Sequence, residues 1–220
     1  MNISDITELK QSELRLKQQN LRLSSLSSEL ATSKNNLKLK LDKIETLNAS
    51  LEQLAYYDRL TELPNRTKFN GMLKDVLQQA KRVNARFALA IFDMDNLKTV
   101  NDSLGYDVGD ELIRQTAMRL NSFRKDGVIA SRFGGDEFLL IINHYDHDAE
   151  LLYIVNAVQE SLRESYFLLN TEVKTSVSIG VATFPEDADN VHNLLKYADI
   201  ALTDAKRRGK NTLSFFHAIM

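Results

Sequence analysis

The chain contains no cysteine, only two prolines and no long apolar run. Without cysteine it can form neither a disulfide bond nor a thiolate metal site, which suits a reducing compartment. No stretch of about 18 consecutive apolar residues occurs, and the N-terminus lacks the apolar core of a signal peptide. We therefore expect a cytoplasmic protein with no membrane span in this chain. The net charge of −2 gives no general argument for nucleic acid or an anionic membrane as a partner.

Glycine and proline are both absent between Ile6 and Leu54, so this stretch is predicted to be one long helix. One heptad series is apolar at every position, as expected for the a positions of a coiled coil: Leu9, Leu16, Leu23, Leu30, Leu37, Ile44 and Leu51. The matching d series is apolar in only three of its seven layers: Ser12, Gln19, Leu26, Ser33, Lys40, Leu47 and Leu54. The pattern predicts a real but weakly packed coiled-coil seam.

A narrow apolar stripe cannot be buried by one long helix alone, so a parallel homodimer is predicted. The alternative is a helix folded back on its own domain. Leu14 and Leu21 lie outside the seam and could support a second register that makes the coil a switch, or could simply contact neighbouring groups. The segment Asp5–Glu8 resembles the tail that follows PAS sensor domains. On that resemblance, the chain is expected to be the output part of a longer receptor with an upstream sensor domain.

The heptad pattern stops at Asp58, which predicts a helical segment over residues 1–56 and a globular domain over residues 57–220. Apolar periodicity within that domain predicts four helices. They span about residues 64–82, the stretch from a cap at Asn101 or Asp102 through Leu120, residues 149–164 and residues 191–207. Strands are predicted at 87–92, 128–132, 138–142, 173–184 and 213–216. The order β-α-β-β-α-β predicts an α+β, ferredoxin-like fold whose antiparallel sheet carries its helices on one face.

Four carboxylates are predicted to meet at one edge of this sheet. Asp93 and Asp95 end the first strand, while Asp136 and Glu137 follow the tight turn Gly134–Gly135 in a neighbouring hairpin. Crowded carboxylates repel one another unless a cation lies among them, and oxygen ligands favour Mg²⁺ or Mn²⁺. The alternative is an ordinary hairpin with solvated acidic residues.

Cations that could neutralise a triphosphate lie near the same edge. Lys98 follows the acidic strand end, and further basic residues close the last helix: Lys206, Arg207, Arg208 and Lys210. The alternative interpretation of this second group is a solvated helix C-terminus, where cations complement the helix dipole.

Residues 57–216 resemble a GGDEF domain, the family of diguanylate cyclases. Five blocks match in order: Asp58-x-Leu60-Thr61-x-Leu63-Pro64-Asn65-Arg66, Asp93-x-Asp95-x-x-Lys98-x-x-Asn101-Asp102, Gly109-Asp110, Arg132-Phe133-Gly134-Gly135-Asp136-Glu137-Phe138, and Ala198-Asp199-x-Ala201-Leu202 with Ala205-Lys206. The resemblance implies a nucleotidyl cyclase fold and the condensation of two GTP molecules into cyclic di-GMP with release of pyrophosphate.

The resemblance also implies roles for the residues at the acidic edge. Asp93, the backbone carbonyl of Met94 and Asp136 would hold Mg²⁺ or Mn²⁺, with Glu137 available to a second ion. Asp136 or Glu137 would accept the proton of the attacking 3′-hydroxyl, and the sequence leaves that choice open. Lys98 would act with them by neutralising phosphate charge.

Substrate contacts follow from the same resemblance. Asn101 and Asp110 would bind the guanine edge, because a carboxylate that accepts from N1–H and N2–H₂ favours guanine over adenine. Lys206 and Lys210 would neutralise the triphosphate, and the backbone amides around Asn96–Leu97 would cradle it.

In this family each domain binds one GTP, so two domains must meet to form both phosphodiester bonds, and the coil would bring them together. Two other functions stay open: a catalytically silent sensor of GTP or a cyclic dinucleotide, and a purely structural coiled-coil dimerisation module. Several positions depart from the family pattern: Glu62, Leu97, Tyr106, Thr203 and Lys210. The Arg-x-x-Asp product-inhibition site is also missing at residues 125–128, so no feedback inhibition through it is expected.

Overall fold

A computed structural model of the protein describes the backbone of residues 3–218 and the side chains of residues 10–124 and 127–217. The side chains of the sensor-like tail Asp5–Glu8, of Leu9 and of residues 125 and 126 lie outside these ranges. The chain divides into two compact units between Gln53 and Leu54. Within residues 3–218, no helix combines the length and the apolar character that crossing a membrane would require.

The first helix, α1 (Ile3–Tyr56), is 54 residues long and confirms the predicted long helix. The a-position residues of the heptad pattern from Leu16 to Leu51 are all exposed, at 52% to 71% of their surface. A helix that leaves a regular row of large apolar side chains in solvent has a face suited to packing against another helix.

The second unit contains a five-stranded sheet and a separate two-stranded hairpin. Its elements are α2 (Arg66–Val83), β1 (Phe87–Asp95), α3 (Leu97–Leu104), α4 (Tyr106–Ser122), β2 (Val128–Gly134), β3 (Glu137–Ile142), α5 (Asp148–Arg163), β4 (Tyr166–Leu168), β5 (Thr171–Val173), β6 (Ser176–Phe184), α6 (Val191–Arg207) and β7 (Leu213–Phe215). The sheet order is β2-β3-β1-β6-β7, in which only the β6–β7 pair is parallel. This confirms the predicted α+β fold with a mostly antiparallel, ferredoxin-like sheet.

The helices lie on both faces of the sheet, so the prediction that they share one face is wrong. Alternate residues of β1 belong to two separate apolar clusters, with Ala88, Ala90 and Phe92 in one and Phe87, Leu89 and Ile91 in the other. The first cluster includes residues of α4 and α5, and the second includes residues of α2 and α6. The uninterrupted apolar run of β1 is the reason, because a central strand buried on both faces needs apolar side chains at every position.

The helix predicted to begin at Pro64 begins two residues later, at Arg66. Asn65 is its N-cap, and its side-chain oxygen accepts hydrogen bonds from the backbone N–H groups of Thr67 at 3.0 Å and Lys68 at 3.1 Å. Two of the free N–H groups of the first helical turn are thereby satisfied, which Pro64 could not have done.

The helix predicted to start at Asn101 or Asp102 is in fact two helices, α3 and α4. Gly105 separates them with a φ of 92°, a conformation that side-chain-bearing residues rarely adopt. Asn101 therefore lies inside α3, and the N-cap position belongs to Asn96.

The strand predicted from Val173 begins at Ser176, because Val173 belongs to the short hairpin β4–β5. Leu169 and Asn170 turn this hairpin with φ values of 44° and 70°. No glycine marks the turn, which explains why the sequence pattern did not reveal the hairpin.

Candidate functional site

The register of β1 against β3 brings the predicted acidic residues together. Asp93 and Glu137 are direct partners in this antiparallel pair, so their side chains lie on the same face. The turn that precedes Glu137 is tied to the same strand end, because the N–H of Met94 donates to the carbonyl of Asp136 at 3.1 Å. The end of β1 and the β2–β3 turn therefore form one acidic edge.

Gly134 and Gly135 shape that turn with φ values of 136° and 55°. The β2–β3 pairing shifts register between Arg132 and Gly134, which leaves Phe133 as an extra residue in its strand. The Phe133 ring contacts Phe69 of α2 edge-on at 5.5 Å between centroids. The turn is thus anchored to a core helix while its glycines leave the acidic residues accessible.

The carboxylate of Asp93 is half-buried and paired with a lysine. Burial raises the pKa of Asp93 most, the hydrogen bond from Lys206 opposes that rise, and the charge of Asp136 adds to it. The Lys206 ammonium lies 2.9 Å from Asp93 Oδ2. The net result is a raised pKa, because the cost of burying the charge and the repulsion from Asp136 together outweigh the stabilisation by Lys206.

Glu137, like Asp93, has a raised pKa. Burial raises its pKa, as do the charges of Asp199 and Asp93, whereas Arg66 and Lys206 lower it. Asp199 and Arg66 were not predicted as site residues. Asp199 lies seven residues before Lys206 on α6, and this spacing places both on one side of the helix, so the helical periodicity contained a signal for Asp199.

Asp95 ends the same strand as Asp93, but it is buried. It is 2% exposed, and its carboxylate accepts hydrogen bonds from Ser176 Oγ at 2.6 Å, Ser178 Oγ at 2.8 Å and the N–H of Asn211 at 3.0 Å. A buried carboxylate with three donors is fully engaged within the protein. Asp95 lies close enough for its charge to raise the pKa of Asp93, as the predicted crowding implies, but its own carboxylate is engaged by these donors.

The start of α3 faces the end of α6. Asn96 begins α3 with a φ of 65°, followed by the buried Leu97 and the exposed Lys98. Lys210 Nζ donates to Asn96 Oδ1 at 3.0 Å. The predicted cradle residues and one of the predicted phosphate-binding lysines are therefore neighbours, as a site for a phosphate chain would require.

The predicted guanine-binding residues lie on two consecutive helices, Asn101 on α3 and Asp110 on α4. Among the residues that the structure describes, the buried Oδ1 atom of Asn101 has no hydrogen-bond partner. Gly109 packs directly against this atom, because a Cβ at position 109 would overlap Asn101 Oδ1. A buried acceptor without a donor is rare in proteins.

The acidic edge offers the hard oxygen donors that Mg²⁺ and Mn²⁺ prefer. In the part of the chain whose side chains are described, no three His, Cys, Asp or Glu side chains converge as a metal site. The ligands predicted for one ion include only two such side chains, Asp93 and Asp136, and the third ligand is the backbone carbonyl of Met94. Burial is the main cause of the raised pKa of Asp93 and the charge of Asp136 adds to it, so a cation between these two carboxylates would relieve their repulsion. The donor set fits a divalent ion.

A buried arginine connects the turn at the start of the second unit to the glycine turn. Arg132 Nη1 donates to Asp58 Oδ1 at 2.9 Å, and Arg132 Nη2 donates to the carbonyl of Gly135 at 2.8 Å. The same Asp58 oxygen accepts from the N–H and hydroxyl of Thr61 at 3.0 and 2.8 Å. Burial alone would raise the pKa of Asp58, but the hydrogen bonds from Arg132 and Thr61 outweigh it and lower the pKa.

Residues 55–212 match the family model described as diguanylate cyclase, GGDEF domain. The chain belongs to the GGDEF family. The resemblance found in the five sequence blocks is therefore confirmed.

The chain matches parts of longer curated relatives. The chain is 35% identical over 199 residues to the bifunctional diguanylate cyclase/cyclic di-GMP phosphodiesterase MucR of Pseudomonas aeruginosa, covering 90% of this chain and 27% of MucR. It is 33% identical over 191 residues to the diguanylate cyclase TpbB of the same species, covering 86% of this chain and 44% of TpbB. The chain thus spans less than half of the length of either relative.

Solved GGDEF structures share the fold. The GGDEF domain of TpbB from Pseudomonas aeruginosa has a TM-score of 0.70 at 34% identity, covering 73% of this chain and 94% of that one. The coiled coil and GGDEF domain of DgcB from Caulobacter crescentus, in complex with c-di-GMP, has a TM-score of 0.74 at 25% identity, covering 87% and 99% of the two chains. The second structure has a coiled coil beside its GGDEF domain, in agreement with the long α1 helix found here.

Proposed function

We propose that this protein is a diguanylate cyclase that condenses two GTP molecules into cyclic di-GMP and pyrophosphate. Residues 57–220 would form the catalytic domain and residues 1–56 the signalling and dimerisation helix. The observation that carries the proposal is the cross-strand pair Asp93 and Glu137 beside the Gly134–Gly135 turn, with Lys206 at 2.9 Å from Asp93. This edge combines ligands for a cation with positive charge for a phosphate.

Guanine would bind between α3 and α4. The partly exposed side chain of Asn101 on α3 would contribute one contact to the base. The exposed carboxylate of Asp110 would accept from N1–H and N2–H₂ of guanine, whereas adenine offers no matching pair of donors.

The triphosphate would lie between the start of α3 and the end of α6. Lys98, Lys206 and Lys210 supply positive charge, and the backbone N–H groups at Asn96 and Leu97 point from the N-terminus of α3. Lys206 would exchange its contact with Asp93 for a phosphate oxygen when GTP and a cation are both bound.

Asp93, the carbonyl of Met94 and Asp136 would hold Mg²⁺ or Mn²⁺, with Glu137 beside a second ion. A bound cation would neutralise phosphate charge and acidify the attacking 3′-hydroxyl. Asp136 or Glu137 would accept the proton of that hydroxyl; Glu137, whose pKa is raised by burial and then by the charges of Asp199 and Asp93, is the candidate to test first. A changed pH dependence of kcat in Glu137→Gln would support Glu137 as the acceptor, and an unchanged pH profile would contradict it.

Each domain would bind one GTP, and the 3′-hydroxyl of one would attack the α-phosphorus of the other. Two domains must therefore face each other, and a parallel coiled-coil homodimer of α1 would raise their local concentration. The exposed apolar seam of α1 supports this arrangement. An upstream sensor domain would then act by changing the packing of the coil.

The deciding experiment incubates the purified protein with GTP and Mg²⁺ and resolves the products by chromatography, beside an Asp136→Ala control. Cyclic di-GMP that forms only with Asp136 intact is the expected result. GTP binding without turnover would instead select the silent sensor, and a dimer that binds no GTP would select the structural module. Assaying a chain without residues 1–54 at high concentration separates a sensor from a cyclase held inactive by its coil.

A further inference from the structure

The loop after α6 has three consecutive residues in the left-handed region of φ. The values are 110° at Gly209, 64° at Lys210 and 49° at Asn211. Only the first is glycine, and residues with side chains populate this region sparsely. Such a conformation persists only where surrounding contacts stabilise it, so this loop should make specific contacts with the rest of the domain.

Asn211 is held from two sides by charged residues that are distant in sequence. Its N–H donates to Asp95 Oδ2 at 3.0 Å. Arg163, the last residue of α5, donates from Nη2 to the carbonyl of Asn211 at 2.8 Å and from Nε to its side-chain oxygen at 2.7 Å. The backbone donor, the backbone acceptor and the side-chain acceptor of one residue are all engaged.

The side chains of Asp95 and Arg163, which contact Asn211, are themselves held by other residues. Asp95 is buried at the end of β1, where the hydroxyls of Ser176 and Ser178 donate to its carboxylate. Arg163 forms an ion pair with Glu160 one turn earlier on α5. Contacts with a charged partner are stronger than neutral ones and maintain a defined geometry.

Lys210, the residue immediately before Asn211, reaches Asn96 Oδ1 at the N-terminus of α3. We propose that Asp95 and Arg163 are positioning residues that clamp Asn211 and thereby hold Lys210 at the phosphate-binding end of α3. This inference rests on the proposed function only in assigning a triphosphate to that place. It also gives Asp95, which binds neither cation nor substrate, a role in substrate binding.

A loosened clamp should weaken the binding of the β- and γ-phosphates and leave guanine recognition intact. Asn101 and Asp110, the proposed guanine contacts, lie on α3 and α4 and have no hydrogen bond to Asn211 or Arg163 among the described residues. The triphosphate analogue with a methylene group between its α- and β-phosphorus atoms carries all the phosphates but cannot react. GMP has the same base and lacks the β- and γ-phosphates.

The experiment measures Kd for both nucleotides by calorimetry with Mg²⁺ on the full chain. Arg163→Ala should weaken binding of the triphosphate analogue by about tenfold, the scale of a lost charge-assisted hydrogen bond. Its affinity for GMP should stay within about twofold. Arg163→Lys should recover part of the loss, because an ammonium group cannot reproduce the two-point contact of a guanidinium. The control is Arg82→Ala, which removes an exposed arginine from the last turn of α2.

Asn211→Gly provides a second variant that keeps the left-handed backbone and removes only the contact with Arg163 Nε. Asn211→Gly should weaken binding of the triphosphate analogue by less than Arg163→Ala does, and it should leave the affinity for GMP unchanged. An unchanged ratio of the two affinities in Arg163→Ala, or an equal loss for both nucleotides, overturns the proposal. Triphosphate binding by the wild type without cyclic di-GMP formation, either in the full chain or after removal of residues 1–54, would refute the cyclase assignment alone. A wild type that binds the triphosphate no better than GMP overturns the clamp and the triphosphate site together.

Discussion

Lys206 Nζ lies 2.9 Å from Asp93 Oδ2, so the nucleotide-free site already places a cation against its proposed metal ligand. A divalent ion that binds Asp93 must compete with this lysine. The same lysine is a proposed ligand of the triphosphate. Its removal should therefore affect the two ligands in opposite directions.

Lys206→Met should strengthen Mn²⁺ binding to the nucleotide-free protein by about tenfold, because a unit charge at this distance contributes on the order of 1–4 kcal/mol in a partly exposed site. The same change should weaken GTP binding. Mn²⁺ titration followed by electron paramagnetic resonance, with and without a non-reactive GTP analogue, measures both. Lys206→Arg keeps the charge and serves as the control; weaker Mn²⁺ binding in Lys206→Met would show that the lysine does not compete.

Glu137→Gln should stabilise the metal-free protein by up to about 1 kcal/mol at neutral pH, the scale of a like-charge cross-strand pair. Burial, Asp199 and Asp93 raise the folded-state pKa of Glu137 above its ordinary value of 4.5, so folding favours the protonated form. Its contribution to stability is present below pH 4.5 and is lost as the pH rises through the raised pKa. The gain from glutamine should accordingly vanish below pH 4.5 in urea unfolding. A gain that persists there, or an equal gain in the exposed control Glu172→Gln, would contradict the electrostatic explanation.

Arg132→Met should lower the free energy of unfolding by about 3 kcal/mol, since it leaves the carboxylate of Asp58 partly buried without its charged partner. Although burial opposes it, the net effect of the contacts with Arg132 and Thr61 lowers the pKa of Asp58 below its ordinary value of 3.8. The stabilising contribution of Asp58 is therefore present above pH 3.8 and is lost as the pH falls through the lowered pKa. A double-mutant cycle with Asp58→Asn, measured by urea unfolding at pH 7, should give a coupling energy of roughly 1–3 kcal/mol. The neighbouring exposed Arg59→Ala is the control, and a coupling near zero would show that the pair is not energetically linked.

Leu30→Asp should weaken dimerisation of the chain at least about tenfold, because it places a charge in an a layer of the proposed seam. Leu39→Asp is the matched control, since Leu39 is 60% exposed on the same helix and lies outside the seam. Sedimentation equilibrium measures the dimer constant, and cyclase activity at low protein concentration should fall with it. Equal effects of both variants would exclude the heptad assignment.

Local pattern was sufficient for the family, the fold class and the neighbourhood of the first strand end and the glycine turn. The apolar run of β1 ends at Asp93, and the two glycines before Asp136 require a tight turn between neighbouring strands. Both signals arise from short stretches whose conformation is decided by their own residues. For this reason Asp93 and Glu137 could be expected at one edge, and the β1–β3 register places them opposite each other.

The sequence by itself thus determined the long helix, the α+β class and the glycine turn, because periodicity and backbone freedom act over a few residues. Only the tertiary structure decided that Asp93 faces the open edge, whereas the carboxylate of Asp95 accepts hydrogen bonds from Ser176, Ser178 and Asn211. The two aspartates have the same chemistry and end the same strand. Their roles differ because the donors around a buried carboxylate come from segments about 80 to 116 residues away, and no local pattern specifies such partners.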